Sequence, residues 1–352
     1  MHNLPKNFVV CLLVALTSAT VGVKTVRAEL EIIVPAYFYP GGGGAGLWGQ
    51  LNTAAGQVPL TAIMNPGNGP GLAVDSNYVL VVNSLRAAGG KVIGYVYTSY
   101  GARPIANVLA DVDRYDMFYN VDGIFVDEMA NTRPAQKLNY YKSIYDHVKA
   151  IDPLWEVMGN PGTTTIEQYL TWPTVDSFMV FEGFGSDYPA YSPSSWNFNY
   201  DSSQFVHLVH AETSTDLQTD LALAVTRNAG GIFVTGDVLP NPWDTLPTYW
   251  AAEVAAVAQI NAFFLGGDFN ENGSVGDSDL PRWSSAYGIV AGATHKPGDS
   301  DADADGDGDG RDFLTWQRQL GRAHFCYLLR LLQSRWSQNL GIRPGVYLLS
   351  FS

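Results

Sequence analysis

Val121-Asp-Gly-Ile-Phe-Val-Asp127, a helical pattern opening at Pro134, and Trp155-Glu-Val-Met-Gly-Asn160 are the three pieces of sequence that decide the fold. Each apolar run has the length of a strand rather than a helix. Between them Pro134 sits at a helix start, Leu138, Tyr141, Tyr145 and Val148 share one face, and Asp152-Pro153 stops the turn. The three together read as one strand–helix–strand unit, and the same alternation continues in both directions.

Working outward, strands are expected near Glu31–Pro40, Val58–Asn65, Lys91–Ser99, Val121–Asp127, Trp155–Asn160, Val175–Glu182, Phe205–Ala211 and Gly231–Thr235. Leu217, Leu221 and Val225 form a further helical stripe that ends at Gly230-Gly231. Eight alternations in this length match a (β/α)8 TIM barrel of the α/β class. The rival is an open doubly wound sheet. Against it, Gly41 to Gly46 is a glycine and alanine run with no nucleotide-type helix pattern behind it.

Composition narrows the function classes. The 352 residues carry 20 Lys and Arg against 34 Asp and Glu, a formal charge of -14, which repels phosphate backbones and argues against nucleic acid. Lys6, the apolar run Phe8 to Ala19 and Val26-Arg27-Ala28 read as a secretory signal over residues 1–28, which implies a secreted or cell-surface protein with no transmembrane span. An uncut anchor is the other reading of that segment. Of the two cysteines, Cys11 lies within it and Cys326 is left alone, so no disulfide follows.

In a barrel of this type the substrate face lies at the C-terminal strand ends. Three acids end apolar strands there: Asp127 and Glu128 after the fourth, Glu182 after the sixth. Alternation lets only one of the adjacent pair point into the mouth; the other belongs to the loop or a bulge. Paired carboxylates on nearby strands suit glycoside cleavage, one protonating the leaving oxygen while the other attacks carbon or activates water. Tyr37, Tyr39, Asn65, Tyr97, Tyr100, Asn160, His210, Glu212 and Asp237 are candidate substrate contacts at the same rim. Trp48, Tyr188, Trp196 and Trp243 are further rings able to stack on a sugar or to serve the core. His210 and Glu212 lack a second His or Cys at ligand spacing, so hydrogen bonding is expected of them rather than metal binding.

Val34-Pro-Ala-Tyr-Phe-Tyr-Pro40, Ala62-Ile-Met-Asn-Pro-Gly-Asn-Gly-Pro-Gly71, Gly94-Tyr-Val-Tyr-Thr-Ser-Tyr-Gly101 and Val121-Asp-Gly-Ile-Phe-Val-Asp-Glu128 resemble, in order, the spherulation-specific family 4 (spherulin 4) barrels. The likeness runs from about Val34 to Phe264. It implies glycoside hydrolysis of galactosamine-containing polymers, notably α-1,4-linked N-acetylgalactosamine. By the same resemblance Asp127, Glu128 and Glu182 are the catalytic carboxylates, with Asp127 as nucleophile, Glu182 as acid/base and Glu128 orienting them. A glycan-binding wall or matrix protein that does not cut is the alternative.

Beyond the barrel (29–265) the composition shifts twice. Residues 266–321 hold eleven acids against four bases, whereas 322–352 hold four Arg and no acid. Asp268, Asn270, Asn272, Ser274 and Asp279, and again Asp301, Asp303, Asp305, Asp307, Asp309 and Asp312, have the spacing of EF-hand calcium loops. Asp268, Asp279, Trp283 and Gly288 recur 33 residues on as Asp301, Asp312, Trp316 and Gly321. This duplicated loop and helix resembles a type I dockerin, a small all-α module that binds Ca2+ and implies a cohesin-type partner. Intramolecular stabilisation by calcium is the other use of such loops. The Leu-rich tail suggests an amphipathic surface helix and is assigned no function.

Overall fold

The computed structural model describes residues 29–261, 266–269, 275–288 and 310–320. The expected signal (1–28), eight of the eleven loop ligands (Asn270, Asn272, Ser274, Asp301, Asp303, Asp305, Asp307, Asp309) and the tail lie outside them.

Eight parallel strands close into a barrel in chain order, which excludes the open sheet. They are β1 (Glu31–Ala36), β2 (Leu60–Met64), β3 (Lys91–Tyr97), β4 (Gly123–Asp127), β5 (Glu156–Gly159), β6 (Ser177–Phe184), β7 (Phe205–His210) and β8 (Gly231–Val234). Each expected strand is present. The first ends at Ala36, four residues short of Pro40, because the backbone N–H of Tyr37 leaves the ladder and donates to the Trp243 carbonyl at 3.1 Å.

Seven helices pack around the barrel: α1 (Gly44–Ala55), α2 (Ser76–Ala87), α3 (Ile105–Phe118), α4 (Ala135–Ile151), α5 (Gln168–Thr171), α6 (Leu217–Thr226) and α7 (Trp250–Asn261). A helix does follow the glycine run. Trp48, Leu51 and Ala54 bury one face of α1, and this apolar stripe outweighs the poor propensity of its first turn. The stripe expected after Pro134 is also seen, since Tyr141, Tyr145 and Val148 of α4 are all buried.

Register fixes which residues face the barrel axis. The ladders align Tyr95 with Phe125 and Tyr97 with Asp127, while Gly94 lies on the outer face, where an added Cβ would meet the Tyr115 ring of α3 at 2.6 Å. Alternation then aims Tyr95, Tyr97, Phe125 and Asp127 inward. On β6 the register shifts between Met179 and Phe181, leaving Val180 as an extra residue. Without this bulge, Glu182 would fall on the outer face whenever Met179 faces in.

The C-terminal segments form α8 (Leu280–Ala286), which follows the first expected loop, and α9 (Gly310–Gln319), which begins inside the second, two residues before Asp312. Phe269, Val275 and Trp316 form their small core, with Trp283 and Phe313 packed on it at 4.9 Å between ring centroids. The Trp316 indole N–H donates to the Gly276 carbonyl at 3.0 Å.

Candidate active site

The mouth is organised by one side-chain amide. Asn160 follows β5, and its Oδ1 accepts the backbone N–H of Gly162 at 2.8 Å. That contact fixes which end of the amide is nitrogen, so both Nδ2 hydrogens face the mouth. One reaches Asp127 Oδ1 and the other Glu182 Oε2, each at 2.8 Å. The two acceptor oxygens can therefore be no farther apart than twice that length. Gly162 has φ +65°, the left-handed conformation that favours glycine, in the turn directly after Asn160.

Asp127 also accepts the Tyr95 hydroxyl at 2.8 Å on Oδ2. Burial pushes its pKa up, against the pull of Tyr95, the Glu128 backbone N–H and Asn160. Burial likewise raises Glu182, the negative charge of Asp127 adds to that, and donors from Asn160 and the Trp243 indole oppose it. Asp127 thus has more donors opposing the effect of burial than Glu182 has.

Only one of the adjacent acids points straight in. Glu128 has φ +50° and turns the chain off the strand, its carbonyl taking the Thr98 hydroxyl and the Tyr100 N–H at 2.7 Å each. Its charge lies close enough to raise Asp127. Ser99, Tyr100 and Ala211, at the ends of β3 and β7, share this left-handed conformation, which costs on the order of 1 kcal/mol at each non-glycine residue.

Tyr37 closes the floor. Its ring meets Tyr95 edge-on at 5.7 Å, and burial together with Asp127 and Glu182 holds its hydroxyl strongly protonated. Tyr97 lies inward at the level of Asp127, with the Arg103 guanidinium over its ring at 4.1 Å. His210 ends β7 between Phe184 and Trp243, and burial lowers its pKa.

The other expected contacts stand apart from this cluster. Tyr39 turns to α2, donating to Asp75 at 3.0 Å and accepting from Asn77 at 2.7 Å. Asn65 takes the Gly69 N–H within its own loop at 2.9 Å. Tyr100 is exposed on the loop after β3. Glu212 faces Gly185 and the buried Asp220, while Asp237 lies in its own loop and accepts the Val238 N–H at 2.8 Å. Trp48 and Tyr188 belong to the core. Two residues absent from the candidate list join the site: Tyr95, one alternation below Tyr97, and Phe184, one alternation above Glu182. The period of two is the signal that could have found the first.

Of the loop ligands, Asp268, Asp279 and Asp312 are described. Asp279 and Asp312 are fully buried, and Asp279 Oδ2 accepts the Gly276 N–H at 2.8 Å. Among the described residues no group of three His, Cys, Asp or Glu converges as a metal site, and no helix is long and apolar enough to cross a membrane.

A closed parallel barrel with two carboxylates linked through one amide at the strand ends defines the class: a (β/α)8 protein with an enzyme-type acid pair. The chain belongs to spherulation-specific family 4, whose model matches residues 31–257. Spherulin-4 of Physarum polycephalum is 31% identical over 249 residues, which span 67% of this chain and 73% of that protein. The crystal structure of Aspergillus clavatus Sph3 in complex with GalNAc is similar with a TM-score of 0.58 and 26% identity, covering 65% of this chain and 98% of that one.

Proposed function

We propose that the protein is a secreted or cell-surface glycoside hydrolase cutting α-1,4-N-acetylgalactosamine linkages in a galactosamine-containing polysaccharide. The observation that carries this reading is the shared donor: Asn160 holds Asp127 and Glu182 at one point of the mouth, each by a 2.8 Å bond. The GalNAc complex of the similar Sph3 supports the choice of sugar.

Asp127, ionised under three donors, attacks the anomeric carbon, while neutral Glu182 gives its proton to the leaving glycosidic oxygen. Water, deprotonated by Glu182, then releases the sugar from Asp127. Retaining enzymes place their carboxyls about 5–5.5 Å apart and inverting ones about 6.5–9.5 Å. The shared Asn160 donor favours the shorter class and hence retention. Glu128 tunes Asp127 through its charge.

The direct test is the release of reducing ends from a galactosamine-rich polymer by the purified protein. Wild type should release them steadily and Glu182→Gln at least a hundredfold more slowly. Equal trace release by both would leave glycan binding without cleavage as the function.

The acidic segment is proposed to hold Ca2+ and to tether the enzyme to a cohesin-type partner. Oxygen is the sole donor type in both loops, as a hard cation requires, and the closing residues Asp279 and Asp312 are both buried carboxylates. Calcium should raise the melting temperature of this segment; a chelator without effect on it would overturn the assignment.

A further inference from the structure

Phe184 is a large aromatic side chain left 40% exposed at the end of a barrel strand, where such rings are ordinarily packed. It lies two residues beyond Glu182 on β6, so both side chains project from the same face, the ring one level nearer the solvent. The ladder pairs Phe184 with His210 of β7. The two rings meet edge-on at 4.5 Å with planes 61° apart.

The mounting is rigid. His210, itself 5% exposed, rests on its other side against Trp243 at 5.8 Å. Trp243 in turn lies close enough to Glu182 to hold its pKa down, so platform, brace and carboxylate adjoin one another. Immediately after Phe184 the Gly185 N–H donates to the His210 carbonyl at 2.8 Å. The Glu212 carboxylate fills the space a Cβ at Gly185 would occupy. His210 Nδ1 is buried without a hydrogen-bond partner, which leaves the imidazole held by its ring contacts.

We propose that Phe184, braced by His210, is the stacking platform for the C–H face of the hexosamine ring next to the scissile linkage. A pyranose presents an apolar face of axial C–H bonds that suits a fixed aromatic ring, and an adjoining platform would set the polymer's register over Glu182. The inference rests on the glycosidase reading given above and adds the residue that binds the neighbouring unit.

Binding measured on a protein that does not turn over separates the two. In a Glu182→Gln background, calorimetry with α-1,4-N-acetylgalactosamine oligosaccharides should show binding. Phe184→Ala added to it should weaken affinity roughly tenfold, and Phe184→Trp should restore most of the loss. Saturation transfer from aromatic protons to the sugar C–H protons should weaken in the alanine variant and recover in the tryptophan one. Unchanged affinity in Phe184→Ala, with its melting temperature preserved, overturns the platform. If the Glu182→Gln parent binds no oligosaccharide, the substrate reading itself falls and the platform falls with it.

Discussion

The site turns on an amide that sequence inspection places among the substrate contacts. Asn160 stands at a strand end, as substrate-binding groups do, yet both its hydrogens are committed to Asp127 and Glu182. Its chemistry is positional. Removing it with Asn160→Ala withdraws a donor that holds both carboxyl pKa values down, so both limbs of the pH–rate profile should move to higher pH. The maximal rate should drop roughly ten- to a hundredfold, the range for a hydrogen bond to a charged group. A profile left in place would mean that the amide does not bridge the working pair. The three acids were legible because charges at the end of an apolar strand stand out. Tyr95 was not, since a strand-end criterion stops at Tyr97, although alternation places both on one face.

At the level of elements, all eight strands and the helices after Pro134 and Asp216 were readable from period and punctuation. The β6 bulge was not. Phe178-Met-Val-Phe181 is apolar throughout, so nothing in its pattern marks Val180 as the unpaired residue, and only the ladder to β7 reveals it. The bulge carries function because it re-aims Glu182. Inserting one alanine between Phe181 and Glu182 should move Glu182 one step along the ladder to β7, from Leu208 to Val209, and turn it toward the helices. The expected outcome is loss of cleavage with barrel-type circular dichroism retained and stability lowered by about 1–3 kcal/mol, since the mismatch overpacks the shell. Activity surviving the insertion would show that register is not what orients this acid. The α1 helix follows from the strand–helix alternation rather than from its own start, where glycines precede the buried Trp48, Leu51 and Ala54 stripe.

Across the whole molecule, buried acids away from the mouth shape stability. Glu253 of α7 is fully buried, one oxygen accepting the Val234 N–H at 2.8 Å, and burial raises its pKa from 4.5 to about 8. The unfolded chain loses this proton near pH 4.5, whereas the folded barrel keeps it until about 8. Between those values the folded state binds more protons, so stability falls as pH rises. Glu253→Gln keeps an acceptor for Val234 and removes the titration, so its melting temperature should decline less than that of wild type between pH 5 and 8. Equal slopes would show that Glu253 titrates normally. Asp220, buried against Glu212, contributes with the same sign and accounts for slope remaining in the variant.

Convergence of Asp127 and Glu182 on one donor is the claim from which cleavage, roles and stereochemistry all follow. Proton NMR of the anomeric signals, recorded as the protein first cuts an α-1,4-N-acetylgalactosamine oligosaccharide, tests it most directly. The α-anomer should appear first at the new reducing end and equilibrate later. First appearance of the β-anomer would contradict the close carboxylate pair, and no new anomeric signal at all would contradict the enzyme.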